Sequence, residues 1–443
     1  MEARKSMWIL RNVSIMPYWG KTFSIYIEND QIQRVKKQTH TLRTETEFSI
    51  DAHNLIALPG LIDPHVHFRT PGNEEKEDWD HAERAALLGG VTTVFDMPNN
   101  NPPTTTLKAL EEKIALIGKR KIDYRLWFGA TENNEDEIKK IAGHPMIIGV
   151  KIYMASTTGN LLVKDPVAIK RIFTLCKELK LIAGVHAEDE NMRIVNISEL
   201  GRAPTVHDHC LIRNSSVELE GVRLALRLQG ETGCVLYLCH ISTPGAVELA
   251  CAAKKEQRPV HIEVCPHHLW LNDHYTKGKD AGFFKMNPAL RTTEEQRKLH
   301  YYLCEPNCID TIGSDHAAHT KEEKQKELYD DVPSGVPGVQ TLFPLTHKFL
   351  SRGYITMDHF LDLTGRNAAR IFGLSGHKSE IAAGYDADIV LVNPRHKTTL
   401  INEDMATKCG WTPFNNFSSH IVPHSVITRG TYIDLQKVKA EIS

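Results

Sequence analysis

The chain has 443 residues, of which 41% are hydrophobic and 24% charged. This is the balance of an ordinary folded protein and excludes a disordered chain. The 53 Lys+Arg and 55 Asp+Glu residues give a formal net charge of -2, which argues against partners that require a basic excess, such as nucleic acid or a membrane surface. We therefore expect the partner to be a small molecule or another protein subunit.

Three features of the sequence predict a cytoplasmic protein. Nine cysteines are scattered without a Cys-x-x-Cys pair, a pattern that fits a reducing compartment better than a disulfide framework or a zinc ribbon. The charged residues 1–5 lead into no apolar stretch of signal-peptide length. No run approaches the ~18 apolar residues that a membrane helix needs.

In chain order, the first predicted elements are hairpin strands at 7–15, 23–28 and 31–36. Eight short runs rich in Val, Ile and Leu follow, and a helix-like stretch succeeds each one. They occupy residues 57–65, 91–97, 124–130, 147–153, 181–186, 234–240, 260–265 and 308–313. Amphipathic helices are predicted at 78–88, 107–117 and 217–228. Eight repeats of strand and helix predict an α/β fold, the (β/α)8 TIM barrel, over residues 57–375.

The end of the chain repeats the pattern of its beginning. Short strands are predicted at 388–392, 426–429 and 430–434. Neither terminal segment is long enough to form a stable domain alone. The simplest prediction is one small β-sandwich that residues 1–56 and 376–443 build together, beside the barrel.

Ionisable residues stand where several barrel strands meet their following loops. These are His65, His67, Lys151, His186, His240 and Asp315. In barrels of this class the carboxyl ends of the strands carry the catalytic residues. The sequence therefore directs four imidazoles, one lysine and one carboxylate towards a single mouth.

The histidines and the carboxylate predict a metal site. His65 and His67 stand two residues apart, so their side chains point to the same face of a strand. Two imidazoles on one face suit a divalent ion. Such a pair alone is as readily packed or solvated, but His186, His240 and Asp315 at equivalent positions favour metal binding.

Lys151 is the unusual member of this set. An ammonium group would be costly to bury in the mouth and would repel metal ions. A neutral lysine can instead add carbon dioxide and become a carbamate, whose two oxygens suit a bridge between two cations. The sequence leaves open a lysine paired with an acidic neighbour and a substrate-binding or Schiff-base lysine.

Together these residues predict amide hydrolysis without a serine or cysteine nucleophile. Two metal ions ~3.5–4 Å apart can share a bridging hydroxide, by lowering the pKa of water towards ~7, and can polarise a carbonyl oxygen. Asp315 would take a proton from the hydroxide and give it to the leaving nitrogen.

At these residues the chain resembles the dihydroorotase family of the amidohydrolase superfamily, with a lysine at the metal-bridging position as in its class I members. The resemblance covers nearly the whole chain. It is carried by ordered motifs at 59–69 (PGLIDPHVHFR), 71–72 (PG), 89–93 (GGVTT), 97–99 (MPN), 149–153 (GVKIY), 240–242 (HIS), 266–269 (PHHL), 285–288 (KMNP), 314–319 (SDHAAH), 367–374 (NAARIFGL) and 384–388 (GYDAD). Two positions depart from the usual pattern: Ala318 replaces a proline and Thr70 a glutamate.

The resemblance implies reversible hydrolysis of L-dihydroorotate to N-carbamoyl-L-aspartate in pyrimidine biosynthesis, and a homodimer. It implies two zinc ions, one held by His65 and His67 and the other by His186 and His240. Carbamylated Lys151 would bridge the ions, and Asp315 would be both ligand and proton shuttle.

The resemblance also implies a substrate-binding set. The ring carboxylate of the substrate calls for a cation with two parallel donors, and Arg69 stands two residues after His67. The implied set is Arg69, Asn99, Asn287 and His319. The backbone of Gly335, in a Gly/Pro loop, either contacts the ring or does not touch the ligand. His267, His268 and His316 are assigned to packing or to hydrogen bonds behind the site.

Two rival interpretations stay open. Another cyclic amidohydrolase, such as an allantoinase or a dihydropyrimidinase, would share the metal ligands but generally lacks an arginine at the position of Arg69. A non-catalytic scaffold homologue should have lost some of the six ligands, all of which this chain keeps.

Overall fold

A ring of parallel strands forms the centre of the molecule, and the α/β barrel predicted from the sequence is confirmed. The computed structural model describes residues 7–16, 20–38, 48–395, 398–419 and 421–442. The charged residues 1–5 lie outside these ranges. Within them, no helix is long and apolar enough to cross a membrane.

The strands in chain order are β1 (Trp8–Ile15), β2 (Thr22–Glu28), β3 (Gln31–Lys37), β4 (Ser49–Asp51), β5 (Ile56–Pro59), β6 (Leu61–Val66), β7 (Val91–Asp96), β8 (Asp123–Gly129), β9 (Ile147–Tyr153), β10 (Ile182–His186), β11 (Val235–Leu238), β12 (Val260–Val264), β13 (Thr311–Ile312), β14 (Ile389–Val392), β15 (Thr398–Leu400), β16 (Phe417–Ser419), β17 (Pro423–Thr428) and β18 (Thr431–Asp434).

The α-helices are α1 (Trp79–Leu88), α2 (Leu107–Ile117), α3 (Glu135–Lys140), α4 (Pro166–Glu178), α5 (Glu190–Glu199), α6 (His209–Ile212), α7 (Ser215–Thr232), α8 (Pro244–Lys255), α9 (Pro266–Trp270), α10 (Thr293–Cys304), α11 (Lys321–Lys324), α12 (Leu342–Ser351), α13 (Met357–Leu361), α14 (Asn367–Ile371) and α15 (Leu435–Ala440). The predicted helices at 78–88, 107–117 and 217–228 correspond to α1, α2 and the greater part of α7.

The barrel consists of β6 to β13, paired in chain order. Every residue of β7 and of β10 is buried, which explains why these runs show no polar alternation. The ring closes where the chain after β13 meets β6: the backbone N–H of His67 donates to the carbonyl of His316 at 2.8 Å, and Val66 and His316 form a parallel bridge. This closure brings the segments that carry His67 and Asp315 side by side.

The prediction of the first barrel strand, 57–65, is wrong in one respect, because the structure divides this run into two strands at Gly60. β5 pairs with β1 and β14 in a second sheet, whereas β6 enters the barrel. Gly60 donates its N–H to the carbonyl of Asp388 at 2.9 Å, and any Cβ at this position would collide with the side chain of Thr92. The close approach therefore requires glycine where the chain changes sheet.

The two ends of the chain build the second sheet together, as predicted. Its order is β18-β17-β14-β5-β1-β2-β3, with β4 paired to β1. Parallel and antiparallel pairs coexist in this one continuous sheet, and β15 with β16 forms a separate pair. Side chains from both ends share a core of their own, which includes Leu10, Ile25, Ile389 and Ile427. The exact division into 1–56 with 376–443 and 57–375 stays a prediction.

One disulfide departs from the expectation of reduced, scattered thiols. Cys251 in α8 bonds to Cys308, just before β13, and their Cα atoms lie 5.8 Å apart. The other seven cysteines are free. The paired residues are separated by 57 positions, so no local spacing motif marks them in the sequence.

Candidate active site

The carboxyl end of the barrel brings together the side chains that the sequence places there. His65 lies at the end of β6 and His67 just beyond it, Lys151 lies in β9, and His186 ends β10. His240 and Asp315 follow β11 and β13, and both have a positive φ, 39° and 46°. All six side chains are buried, and Lys151 is 0% exposed. The strand ends therefore create a closed cluster of ionisable groups.

The first group of possible metal-ligand atoms surrounds one carboxylate oxygen of Asp315. Its Oδ1 lies 3.0 Å from His67 Nε2 and 3.3 Å from His65 Nε2. One donor atom each from His65, His240 and Asp315 lies within 4.8 Å of the others. Two imidazoles and a carboxylate at this spacing fit a divalent ion.

The second group consists of His186 and His240, whose atoms Nδ1 and Nε2 face each other at 3.0 Å. His186 Nε2 donates to Glu188 Oε2 at 2.7 Å, so its Nδ1 carries a lone pair directed at the other ring. A cation between the two nitrogens would satisfy this arrangement. Lys151 Nζ is buried and has no hydrogen-bond partner among the described residues, an arrangement that would be costly for a bare ammonium.

Acceptors behind the histidines fix which nitrogen faces the centre. His65 Nδ1 donates to Glu263 Oε1 at 2.7 Å, and His67 Nδ1 donates to Asn99 Oδ1 at 2.6 Å. Such outer hydrogen bonds orient metal-binding imidazoles and fix their tautomer. The Nε2 atoms of both rings therefore point towards Asp315. The residues present fit a metal centre.

Burial and the carboxylates set the charges of the centre. Burial lowers the pKa of His67 to about 4. Burial also acts to lower the pKa of His65, but the Glu263 and Asp315 carboxylates outweigh it and raise this pKa to about 10. Burial acts to raise the pKa of Asp315, yet the positive charge of the neighbouring His65 holds it below its usual range. Asp315 is therefore ionised at neutral pH.

A cavity of about 360 Å³, including its open mouth, lies over these groups. Its wall contains His65, His67, Arg69, Asn99, Tyr153, Thr157, Thr158, His186, His240, Asn287, Asp315, Ala317, Ser334 and Gly335. The structure thus brings metal-type ligands and most of the implied substrate-binding residues to one cavity.

Arg69 supplies the cation in the cavity wall and His319 lies beside it. Arg69 is 3% exposed; its Nε donates to the carbonyl of Ala318 and its Nη2 lies 3.1 Å from His319 Nε2. Trp411 Nε1 donates to the carbonyl of His319 at 2.7 Å. His319 is absent from the cavity wall, and its ring also lies 3.2 Å from the carbonyl of Ser334 and 3.5 Å from a carboxylate oxygen of Glu323.

Asn287 and Gly335 border the cavity in different ways. The Asn287 amide nitrogen lies 3.4 Å from Thr157 Oγ1, and its buried Oδ1 has no hydrogen-bond partner in the described part of the chain. Gly335 donates its N–H to the carbonyl of Lys285 at 3.0 Å, and its carbonyl accepts from Lys324 Nζ at 2.9 Å. Its φ is 142°, and a Cβ would lie 2.6 Å from the Ala317 carbonyl oxygen. Close packing therefore requires glycine at this position.

The other candidate histidines lie outside the cavity wall. His316 accepts backbone N–H groups of Gly338 and Val339 at Nδ1 and faces Glu77 through Nε2. His267 and His268, in α9, are buried.

Sequence reasoning missed several residues that the structure brings to the site. Tyr153 stands two residues after Lys151 in β9 and lines the cavity, as the period of two predicts for residues on one strand face. Glu188 stands two residues after His186, and Glu263 belongs to the run at 260–265. Thr157, Thr158 and Ser334 lie in loops, where no periodic pattern marks them.

Comparison with known proteins shows the family of the chain. The model of the family described as "Amidohydrolase family" matches residues 56–432. A protein named dihydroorotase from Methanosarcina acetivorans is 34% identical over 422 residues, which cover 92% of this chain and 88% of that protein. A dihydroorotase from Halobacterium salinarum is 34% identical over 417 residues and 94% of each chain.

A solved structure with the same fold is the L-hydantoinase (dihydropyrimidinase) from Arthrobacter aurescens. It matches with a TM-score of 0.87 and 26% identity, over 96% of this chain and 95% of that one. The chain belongs to the amidohydrolase family and is an enzyme of that family. Within the family it is dihydroorotase-like in sequence and hydantoinase-like in fold.

Proposed function

We propose that this enzyme is a dihydroorotase, which reversibly hydrolyses L-dihydroorotate to N-carbamoyl-L-aspartate in pyrimidine (UMP) biosynthesis. The observation that carries the proposal is the buried guanidinium of Arg69 in the wall of a cavity that four histidines and Asp315 also line. A fixed cation matches a ring carboxylate, and the histidines match a metal-assisted attack on an amide. The two archaeal relatives support this substrate by their names.

The donor set supports two divalent ions, for which zinc is our proposal because imidazole and carboxylate ligands suit it. His65 and His67 would hold one ion with Asp315, and His186 and His240 the other. Carbamylated Lys151 would bridge them, which would give its partnerless nitrogen a function. When bound, such ions lower the pKa of water towards ~7 and polarise a carbonyl oxygen.

Asp315 is the proposed proton shuttle. Its carboxylate is ionised at neutral pH because the positive charge of His65 lowers its pKa. It can therefore accept a proton from the attacking water and deliver it to the ring nitrogen that leaves. In ring closure the same group acts in the opposite direction.

The remaining wall positions the ring. Arg69 binds the carboxylate, and His319 fixes the guanidinium through the 3.1 Å contact. Asn287 accepts the ring N–H through its partnerless Oδ1. Asn99 lines the cavity and orients His67 through the hydrogen bond to its side-chain oxygen. Gly335 contributes close packing, because both of its backbone polar groups already have partners.

Three further properties belong to the same proposal. The enzyme acts on a small molecule without nucleic acid or membrane as partner, it forms a homodimer, and it resides in the cytoplasm. Light scattering on the purified protein tests the dimer.

The same proposal assigns residues 57–375 to the barrel and residues 1–56 with 376–443 to the second domain.

A second candidate is a hydantoinase, dihydropyrimidinase or allantoinase. The observation that favours it is the fold match to the Arthrobacter L-hydantoinase at a TM-score of 0.87. Those enzymes would use the same histidines. The two candidates differ in their need for Arg69, because the dihydroorotate ring carries a carboxylate and the rings of the other substrates carry none at that position.

A substrate panel separates the candidates. Metal-replete protein is offered L-dihydroorotate, allantoin and dihydrouracil, with chelator-treated protein as the control. We expect selective opening of dihydroorotate that the chelator abolishes. Turnover of allantoin or dihydrouracil in its place would overturn the substrate while leaving the metal chemistry intact. Undiminished activity after metal removal would overturn the metal centre itself.

A further inference from the structure

A second cluster of metal-type ligands lies at α9, outside the cavity wall. Cys265 stands at the N-terminal boundary of this helix, and His267 and His268 belong to its first turn. The Cys265 Sγ atom and one nitrogen from each imidazole all lie within 4.8 Å of one another. All three side chains are buried, with at most 2% exposure.

The two imidazoles have atoms that nothing in the described part of the chain satisfies. His267 Nε2 and His268 Nδ1 are buried and have no hydrogen-bond partner. His268 Nε2 donates to the carbonyl of Pro288 at 2.9 Å, so its Nδ1 carries the lone pair. A buried acceptor without a donor costs free energy comparable to a lost hydrogen bond. Two buried ring nitrogens without partners, in adjacent residues and next to a thiol, are an arrangement that a bound cation would satisfy.

Charges of both signs surround the cluster. Besides burial, Arg291 acts to lower the pKa of His268 and His65 that of His267, whereas the charges that act on the thiol are those of carboxylates. Burial raises the pKa of the Cys265 thiol well above its usual value, and the carboxylates of Glu263, Asp315 and Asp63 raise it further. The same negative field attracts a metal ion, which would replace the thiol proton. Burial lowers the pKa of His267 to about 4, so the imidazole is neutral at physiological pH and can donate its lone pair.

We propose that Cys265, His267 and His268 bind a third metal ion, a zinc ion, distinct from the pair assigned to His65, His67, His186 and His240. Thiolate and imidazole are both ligand types of zinc, and three protein ligands with a water molecule as the fourth complete its tetrahedral coordination. Binding deprotonates the thiol and releases its proton to solvent. Because all three protein ligands lie within four consecutive residues, the ion fixes the conformation of the start of α9. It does not depend on which cyclic amide the enzyme hydrolyses.

The test compares metal content among three proteins that carry their full complement of zinc. The wild type is compared with Cys265→Ser and with the matched control Cys176→Ser, which changes a buried free cysteine of α4. We expect Cys265→Ser to contain one zinc ion fewer per chain than the wild type, and Cys176→Ser to contain the same number. The difference between proteins is measured, so the result does not depend on the occupancy of the hydrolytic centre.

A spectroscopic readout covers the case in which Cys265→Ser folds poorly. X-ray absorption of a zinc-loaded Cys239→Ser protein, which lacks the buried cysteine beside His65 and Glu263, should show a zinc–sulfur shell at about 2.3 Å. Cobalt substitution of the same protein should show a thiolate-to-metal charge-transfer band. Absence of both signals in Cys239→Ser, or equal zinc content in Cys265→Ser and the wild type, would overturn the proposal. Loss of one zinc ion in Cys176→Ser would also overturn it, because the loss would then not be specific to Cys265.

Discussion

At the scale of the residue, Lys151 tests the proposed two-metal centre. We expect Lys151→Ala to lose metal and to lose activity by more than ~100-fold, because it removes a ligand and not merely an outer hydrogen bond. A short carboxylate such as propionate should restore part of both, since it can occupy the space of the missing carbamate. Metal analysis and activity are measured together, with the exposed Lys170→Ala as the control. Full metal content and full activity in Lys151→Ala would refute the bridge.

Tyr153 presents a hydroxyl to the cavity that has no hydrogen-bond partner in the described residues. Burial raises its pKa well above the usual value, so the hydroxyl remains a donor across the working pH range. We expect Tyr153→Phe to lower kcat/KM about 10-fold, the loss of one hydrogen bond to the substrate. Metal content and unfolding free energy should not fall, because no protein contact is removed. An unchanged kcat/KM would show that the hydroxyl does not contact the substrate.

Single residues also show how far the sequence alone could lead. The six clustered side chains could be predicted because strand ends in a barrel have a fixed location, whatever the loops do. The partners Glu188 and Glu263 could not, because a carboxylate in a buried run does not reveal which histidine it contacts. The partnerless atoms of His267 and His268 are likewise visible only in three dimensions.

At the scale of the element, the start of α1 depends on Asp78. Its carboxylate accepts from the backbone N–H groups of Asp80 and His81 at 3.1 and 3.0 Å and contacts Lys408 Nζ at 2.9 Å. Burial acts to raise the pKa of Asp78, but the hydrogen bonds from His81 and Lys408 outweigh it and lower the pKa to about 2. The folded-state pKa is thus below the unfolded value near ~3.9.

This depressed pKa makes the cap sensitive to pH. Its stabilisation is fully present above about pH 4 and is lost as the pH falls towards 2. We expect Asp78→Ala to lower the free energy of unfolding by about 1 kcal/mol at neutral pH, and the gap from the wild type to shrink between pH 4 and pH 3. Asp78→Asn should keep most of the cap. Urea unfolding measures all three proteins, and a gap that is independent of pH would contradict the assignment.

The bounds of elements with strong local sequence patterns could be predicted closely. The run at 57–65 is an exception, and its cause is a contact between distant segments. The helix predicted at 107–117 coincides with α2 because periodicity and a threonine cap agree. The run at 57–65 reads as one strand, since nothing in its composition shows that Gly60 packs against Thr92, 32 positions away in the printed sequence. A contact between distant segments decided that boundary.

At the scale of the whole molecule, Lys378 joins the barrel to the sheet built from the chain ends. Its Nζ lies 2.9 Å from Asp386 and 2.6 Å from Asp388, and it also pairs with Asp123 at the start of β8. Lys378 is 8% exposed. We expect Lys378→Met to lower the free energy of unfolding by about 3–5 kcal/mol, because it leaves the buried carboxylate of Asp388 without this cation, whereas Asp123 keeps its pairing with Arg429.

Chemical denaturation measures this effect, with the exposed Lys437→Met as the control. Equal stability of the two variants would show that the junction does not depend on the lysine. The sequence predicted that both ends of the chain meet, but it could not predict this junction. Its ion pairs join residues that are up to 255 positions apart.

The central claim is that Arg69 selects a ring carboxylate above a metal centre, and the KM of Arg69→Met for L-dihydroorotate tests it most directly. We expect KM to rise about 10- to 150-fold, the equivalent of ~1.5–3 kcal/mol for hydrogen bonds to a charged group. Metal content should equal that of the wild type, and the exposed Arg395→Met should behave as the wild type. An unchanged KM in fully metallated Arg69→Met would contradict the account.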